Sequence, residues 1–228
     1  MQRAITVETH DDTLAYFTAF ALFVIEATAY GASTLKHILE GDKSVPFGIL
    51  SHQFKFFTLW TNVLVMGLFA RIAWTRRLPH DGWLAATTLW LLIVMTVWHA
   101  LLGNDTPPTG LDWVSDTLFH SVSPVVLALW WVAFAPKVRL GWHHATIWLL
   151  WPLAYLVYAV TRGLFTGFYP YFFVDLEALG WGGLLGWAGK FLIAFYLAGL
   201  LIVAIGKNIN RSNRSRQEVS APDGPQPR

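Results

Sequence analysis

The chain contains no cysteine and little charge. Without cysteine there are no disulfides, no thiolate metal site and no cysteine nucleophile. Charged residues make up 13 % of the 228, about half of what a soluble domain carries. No signal peptide is expected either. Met1 to Asp12 is polar and acidic, with Arg3 as its one Lys or Arg and no small-residue cleavage site, so the first apolar segment is expected to stay in the mature protein. No internal repeat stands out, and with it goes the inverted-repeat signature of many transporters. No His-x3-His spacing supports a metal site built from His99, His120, Asp116 and Glu26.

What fills the chain instead is apolar. Hydrophobic residues reach 55 % with a mean hydropathy of +0.46, and thirteen Trp and sixteen Phe suit a bilayer with aromatic interfaces. A spanning helix needs about 20 mostly apolar residues. Six stretches qualify: 13–32, 54–74, 83–102, 115–135, 142–160 and 181–206. Between them lie a polar loop from Ser33 to Gln53, a basic turn around Arg76-Arg77, a Pro-Pro break at Pro107-Pro108, and a turn at Pro136-Lys137. A longer aromatic and acidic loop covers 161–180, and a basic tail from Lys207 is expected to be disordered.

With both termini in the cytoplasm, eleven of the sixteen Lys and Arg fall on the inner side; only Lys36, Lys43, Lys55, Arg162 and Lys190 remain outside. The expectation is an all-α bundle of six transmembrane helices, N-in and C-in, in a cell membrane, that of a bacterial inner membrane if the resemblance below holds. The domain boundaries are a polar segment 1–12, the bundle 13–206 and the tail 207–228.

The stretch Lys55-Phe56-Phe57-Thr58-Leu59-Trp60-Thr61-Asn62 puts a cation, two hydroxyls and an amide at the start of an apolar span. On a helix Lys55, Thr58, Thr61 and Asn62 form one stripe. Inside lipid such a stripe must face protein or a wet cavity. At similar depth lie His120 with Asp116 and Ser123 on its face, Glu26 and Tyr30, Thr96 and His99, and Tyr155, Tyr158 and Arg162. Thr61 reads as packing and Lys55 as an interface anchor; Glu26 would then pair with Lys55, Lys190 or Arg162. His120 stands apart, because a Thr or Ser hydroxyl needs a base within hydrogen-bond reach to become a nucleophile.

At these residues the chain resembles a known family. Lys55-Phe56-Phe57-Thr58, Phe119-His120-Ser121-Val122-Ser123-Pro124 and Tyr169-Pro170 followed by Asp175-Leu176-Glu177 resemble motifs of the androgen-induced-gene-product family, which includes the androgen-dependent regulator of tissue factor pathway inhibitor. Trp151 to Tyr158, Thr161-Arg162-Gly163 and Gly167 to Tyr171 resemble its bacterial branch of six-span proteins. The likeness covers about residues 10 to 207. It departs at Leu129-Trp130, where that branch often carries Asp-Trp.

The family's animal members are threonine hydrolases of fatty acid esters of hydroxy fatty acids. The resemblance implies Thr58 as nucleophile and His120 as base, forming an acyl-threonine. Asn62, His99, Arg162 and Tyr169 match positions typical of the bacterial branch. Substrate binding is expected from Asn62, His99, Arg162, Tyr169, Asp175 and Glu26. Asn62 or His99 would hold the oxyanion, Arg162 a substrate carboxylate, and Asp116 or Asp175 would orient His120. The expected partners are a lipid ester and membrane lipids; no cofactor, metal or nucleic acid is called for, and the oligomeric state is left open. The rival reading is a non-enzymatic small transporter, or a lipid- or anion-binding membrane protein, that uses the same polar cavity. A third takes the polar face as contact between subunits.

Overall fold

The computed structural model describes residues 10–40, 51–103 and 108–220. Six helices are long and apolar enough to cross a membrane, and no strand occurs among the described residues. The chain is an all-α, multi-pass integral membrane protein. In chain order the spans are α1 (His10–Leu39), α2 (Phe57–Thr75), α3 (Asp81–Leu102), α4 (Gly110–Phe134), α5 (His143–Thr166) and α6 (Leu176–Ser220). The expected loop positions Gly41, Asp42, Lys43, Pro46 and Asp105, and the chain ends at Arg3 and Arg228, lie outside the described residues.

The number of spans agrees with the hydropathy, but their ends differ. The polar residues Ser33 to His37, expected in a loop, continue α1 for two more turns. Thr34 is held there by its hydroxyl on the Tyr30 carbonyl at 2.8 Å, and Lys36 by Asp112 of α4 at 2.6 Å. Helix α2 begins at Phe57 after an extended Phe56 (φ −102°, ψ 135°), so Lys55 precedes the helix and leaves the stripe. Helix α5 continues through Arg162 to Thr166 and stops at Gly167, which takes φ 67° and donates to the Gly163 carbonyl at 2.8 Å. Helix α6 turns sharply at Gly180 (φ 61°, ψ 174°) and then runs to Ser220, so the described part of the expected disordered tail is helical.

Two wide π turns interrupt the helices, at Trp98–Leu102 in α3 and Leu118–Val122 in α4. The second is followed by Pro124, whose ring cannot accept a regular helix one turn before it and which brings no N–H. A π turn absorbs that misfit by inserting one residue, and such turns gather at functional sites. Pro152 also follows a break in α5, but there Trp148 and Leu149 form an ordinary turn and not a π turn.

The main core packs Leu22 of α1, Phe69 of α2, Leu89 of α3 and Trp130 and Trp131 of α4. Indole N–H groups are used to tie helices together: Trp130 donates to the Ala15 carbonyl (3.2 Å) and Trp90 to that of Trp148 (3.1 Å). A second cluster, Ala29, Leu59 and Phe119, lies nearer the end that carries Thr58. Between the clusters, helical register places Glu26, Asn62 and Ser123, all fully buried. Glu26 faces Ser123, and the Asn62 Oδ1 has no hydrogen-bond partner among the described residues. Lipid-facing positions are apolar, Trp74 and Phe165 being the most exposed.

At the opposite end of the bundle Lys137 closes α4. It is 6 % exposed, and its Nζ donates to the carbonyls of Trp131 (2.7 Å), Val132 (3.1 Å) and Ala135 (2.6 Å). A helix C-terminus leaves its last carbonyls short of N–H partners, and a cation there also opposes the helix dipole. Replacing Lys137 by Met removes the donor from the Val132 and Ala135 carbonyls and leaves that of Trp131 with the Ala135 N–H alone. Thermal unfolding in detergent is expected to show a loss of about 2–3 kcal/mol for Lys137→Met and a smaller loss for Lys137→Arg.

Candidate functional site

The first turn of α2 and the π turn of α4 meet at one point. Thr58 Oγ1 lies 3.3 Å from His120 Nε2. Both side chains are largely buried, at 9 % and 6 % exposure. On its other side the His120 ring places Nδ1 3.1 Å from the Asp116 carbonyl. A carbonyl oxygen only accepts, so Nδ1 carries the proton and Nε2 offers its lone pair to the Thr58 hydroxyl. That is the tautomer a base acting on Thr58 requires. Trp98 covers the imidazole face, with ring centres 3.9 Å apart and planes within 8°.

Two tyrosines hold the start of α2. The first N–H groups of a helix have no partner within it, and Phe56 at the cap offers no side-chain acceptor. Tyr171, from the segment between α5 and α6, accepts the Phe57 N–H at 3.0 Å. Its hydroxyl also sits against Thr58, and burial pushes the phenol above its ordinary pKa, so it stays protonated. Tyr155 of α5 donates to the Lys55 carbonyl at 2.6 Å.

Thr58, His120, Trp98, Leu102 and Tyr171 together form a wall shared by two cavities. One, of about 100 Å³, runs between α3, α5 and α6 and is lined by Ile93, Val97, Leu156, Phe191 and Phe195 among others. The other, of about 290 Å³, is polar and lies towards α1 and the start of α4.

The remaining expected site residues are placed elsewhere. Asn62 uses its Nδ2 on the Thr58 carbonyl at 2.8 Å and lines neither cavity. It supports the helix beneath Thr58 and is not placed as an oxyanion donor. His99 is exposed and turned to Ser121 Oγ at 3.0 Å. The π turn explains this: the inserted residue rotates the register, so Trp98 and not His99 meets His120. Arg162 stands 5.7 Å over the Phe168 ring, and Tyr169 packs on Gly163, where no larger residue would fit. Neither lines a cavity.

Asp175 caps α6, accepting the Ala178 N–H at 3.0 Å, and is not near His120's nitrogens by any hydrogen bond. Asp116 does orient His120, but with its backbone carbonyl and not its carboxylate. Glu26 lies in the buried layer below and reaches neither cavity; its neighbour is Ser123, not Lys55, Lys190 or Arg162. Lys55 sits on His52 Nδ1 at 3.0 Å and over Phe168 at 4.5 Å; burial and the nearby Arg162 lower its pKa. The described residues hold no group of three or more His, Asp or Glu arranged for a metal. Trp98 and Tyr171 were given no role from the sequence, because aromatics at span ends are so common here that their positions carry little signal; Tyr155 was placed in the polar layer, but without its part at the start of α2.

The tautomer has a direct readout. In nitrogen-labelled protein at neutral pH, NMR is expected to show a His120 ring with Nδ1 protonated and Nε2 bare; the reverse pattern would show that Nε2 donates to Thr58.

No family model matches the chain, and neither a curated protein nor a solved structure is detectably similar to it.

Proposed function

We propose that the chain is a membrane-embedded threonine hydrolase of lipid esters, with Thr58 as nucleophile and His120 as base. It would be a bacterial-branch member of the family its motifs resemble. The observation that carries this reading is the Thr58 Oγ1 to His120 Nε2 distance of 3.3 Å, in a wall with an apolar cavity on one side and a polar one on the other. A small transporter would need the polar groups but not a hydroxyl set against a bare imidazole nitrogen. In this reading both termini are cytoplasmic and the site opens to the outer face, as the distribution of Lys and Arg favours.

The acyl chain lies in the apolar cavity and the ester carbonyl stands at Thr58. His120 Nε2 takes the Thr58 proton while Oγ1 bonds to the carbonyl carbon. The resulting oxyanion is met by the Tyr171 hydroxyl, whose oxygen is held in place by the Phe57 N–H at the start of α2, where the helix dipole also favours negative charge. Collapse expels the alcohol oxygen, which takes the proton back from Nε2. A water then gives its proton to Nε2 and attacks the acyl-threonine carbon. The Thr58 oxygen leaves, recovers the proton, and the fatty acid is released. Trp98 across the imidazole face favours the cationic ring in between.

Thr58→Ala is expected to abolish turnover of a fluorogenic acyl ester and labelling by a fluorophosphonate probe, while Thr58→Ser keeps part of both. Retained labelling in Thr58→Ala would overturn the assignment. Tyr171→Phe is expected to lower kcat by about 100-fold with little change in KM, a split that simple loosening of the fold would not give.

A further inference from the structure

The polar cavity has its own donor and acceptor balance. Gln53 is 2 % exposed and lines it. Its Nε2 donates to Ser33 Oγ (3.3 Å) and Thr34 Oγ1 (3.0 Å). The Thr34 hydroxyl already gives its hydrogen to the Tyr30 carbonyl, so it can only accept from Gln53, and the amide orientation is fixed. The buried Gln53 Oε1 is left with no partner among the described residues.

Across the cavity stands the Asp116 side chain, whose backbone carbonyl holds His120. Ser115 gives its hydroxyl hydrogen to the Asp112 carbonyl at 3.1 Å, which leaves the hydroxyl oxygen as an acceptor. Asp112 is taken by Lys36. Among the described residues no Lys or Arg lines this space, and Lys55 is turned to His52 and Phe168. The Gln53 amide oxygen, the Asp116 carboxylate and the Ser115 oxygen thus stand as acceptors here, beside the imidazoles of His37 and His52. A carboxylate brought here would face Asp116 with no Lys or Arg among the described lining residues to offset it, whereas hydroxyl groups find acceptors waiting.

We propose that this cavity binds the alcohol half of the substrate and that the alcohol is a small uncharged polyol of the glycerol type. The substrate class is then a single-chain acyl ester of a polyol, with the chain on the apolar side of the Thr58–His120 wall and the hydroxyls on the other. An ester of a hydroxy acid, bearing a free carboxylate, is disfavoured. This rests on the hydrolase reading for its catalytic consequence, but the binding preference is a separate property of the cavity.

The test uses the purified full chain in detergent with three decanoyl esters: para-nitrophenyl decanoate, monodecanoyl glycerol and the decanoyl ester of glycolic acid. The expected result is Thr58-dependent turnover of the first, and a kcat/KM for the glycerol ester about tenfold or more above that for the glycolate ester. That ratio is expected to fall several-fold in both Gln53→Leu and Asp116→Asn, so a folding defect in one variant does not decide the outcome. Turnover of para-nitrophenyl decanoate with equal or reversed preference between the other two would overturn this proposal and leave the hydrolase reading standing. If no ester is turned over, the hydrolase reading fails. Equilibrium binding of the glycerol and glycolate esters to Thr58→Ala then decides the cavity's preference, with tighter glycerol-ester binding supporting it and equal or reversed binding overturning it.

Discussion

The site hangs on a single backbone oxygen. The Asp116 carbonyl, 3.1 Å from His120 Nδ1, fixes where the imidazole proton sits. Only with the proton there does the nitrogen at 3.3 Å from Thr58 present a lone pair. Carboxylates usually do this work beside a histidine base, but a buried carboxylate among membrane helices costs more to hold charged than a carbonyl dipole does. Within the π turn of α4 the backbone itself supplies the acceptor. Trp98, from the matching π turn of α3, covers the ring and fixes its plane.

Elsewhere the same shortage of water shapes the bundle. Backbone and side-chain polar groups in hydrocarbon must find partners inside the protein. Lys137 serves three carbonyls at one helix end, and Tyr171 and Tyr155 serve the start of α2. Indole N–H groups of Trp90 and Trp130 reach carbonyls of other helices. The atoms left without partners are correspondingly informative. Among the described residues they include the Asn62 Oδ1 in the layer of Glu26 and Ser123 and the Gln53 Oε1 beside the polar cavity, and also Trp131 Nε1, Arg162 Nη1 and the Tyr169 hydroxyl away from it.

Six spans, and the depth shared by Thr58 and His120, were legible in the sequence because hydropathy and helical spacing are coarse signals that survive small shifts of register. Finer placements were not. Lys55 seemed to head a stripe only while the helix was assumed to include it; the extended Phe56 ends that assumption. His99 and Trp98 exchange roles because a π turn adds a residue that no 3.6-residue periodicity anticipates. Ser33 to His37 look like a loop by composition, yet their polar groups find carbonyl, amide and carboxylate partners on neighbouring turns and helices. Arg162, Tyr169 and Asp175 sit near the Tyr171 segment in sequence, but the early start of α6 at Leu176 and the stop of α5 at Gly167 place them away from the cavities.

The acceptor for the Phe57 N–H comes from a residue more than a hundred positions further along the chain. During synthesis the segment bearing Thr58 enters the membrane three spans before that tyrosine has been made. Its first turn cannot close onto Tyr171 until α5 and the segment after it have docked. The order of biogenesis therefore withholds the finished threonine environment from every partly inserted chain, and completes it only when the bundle itself is complete.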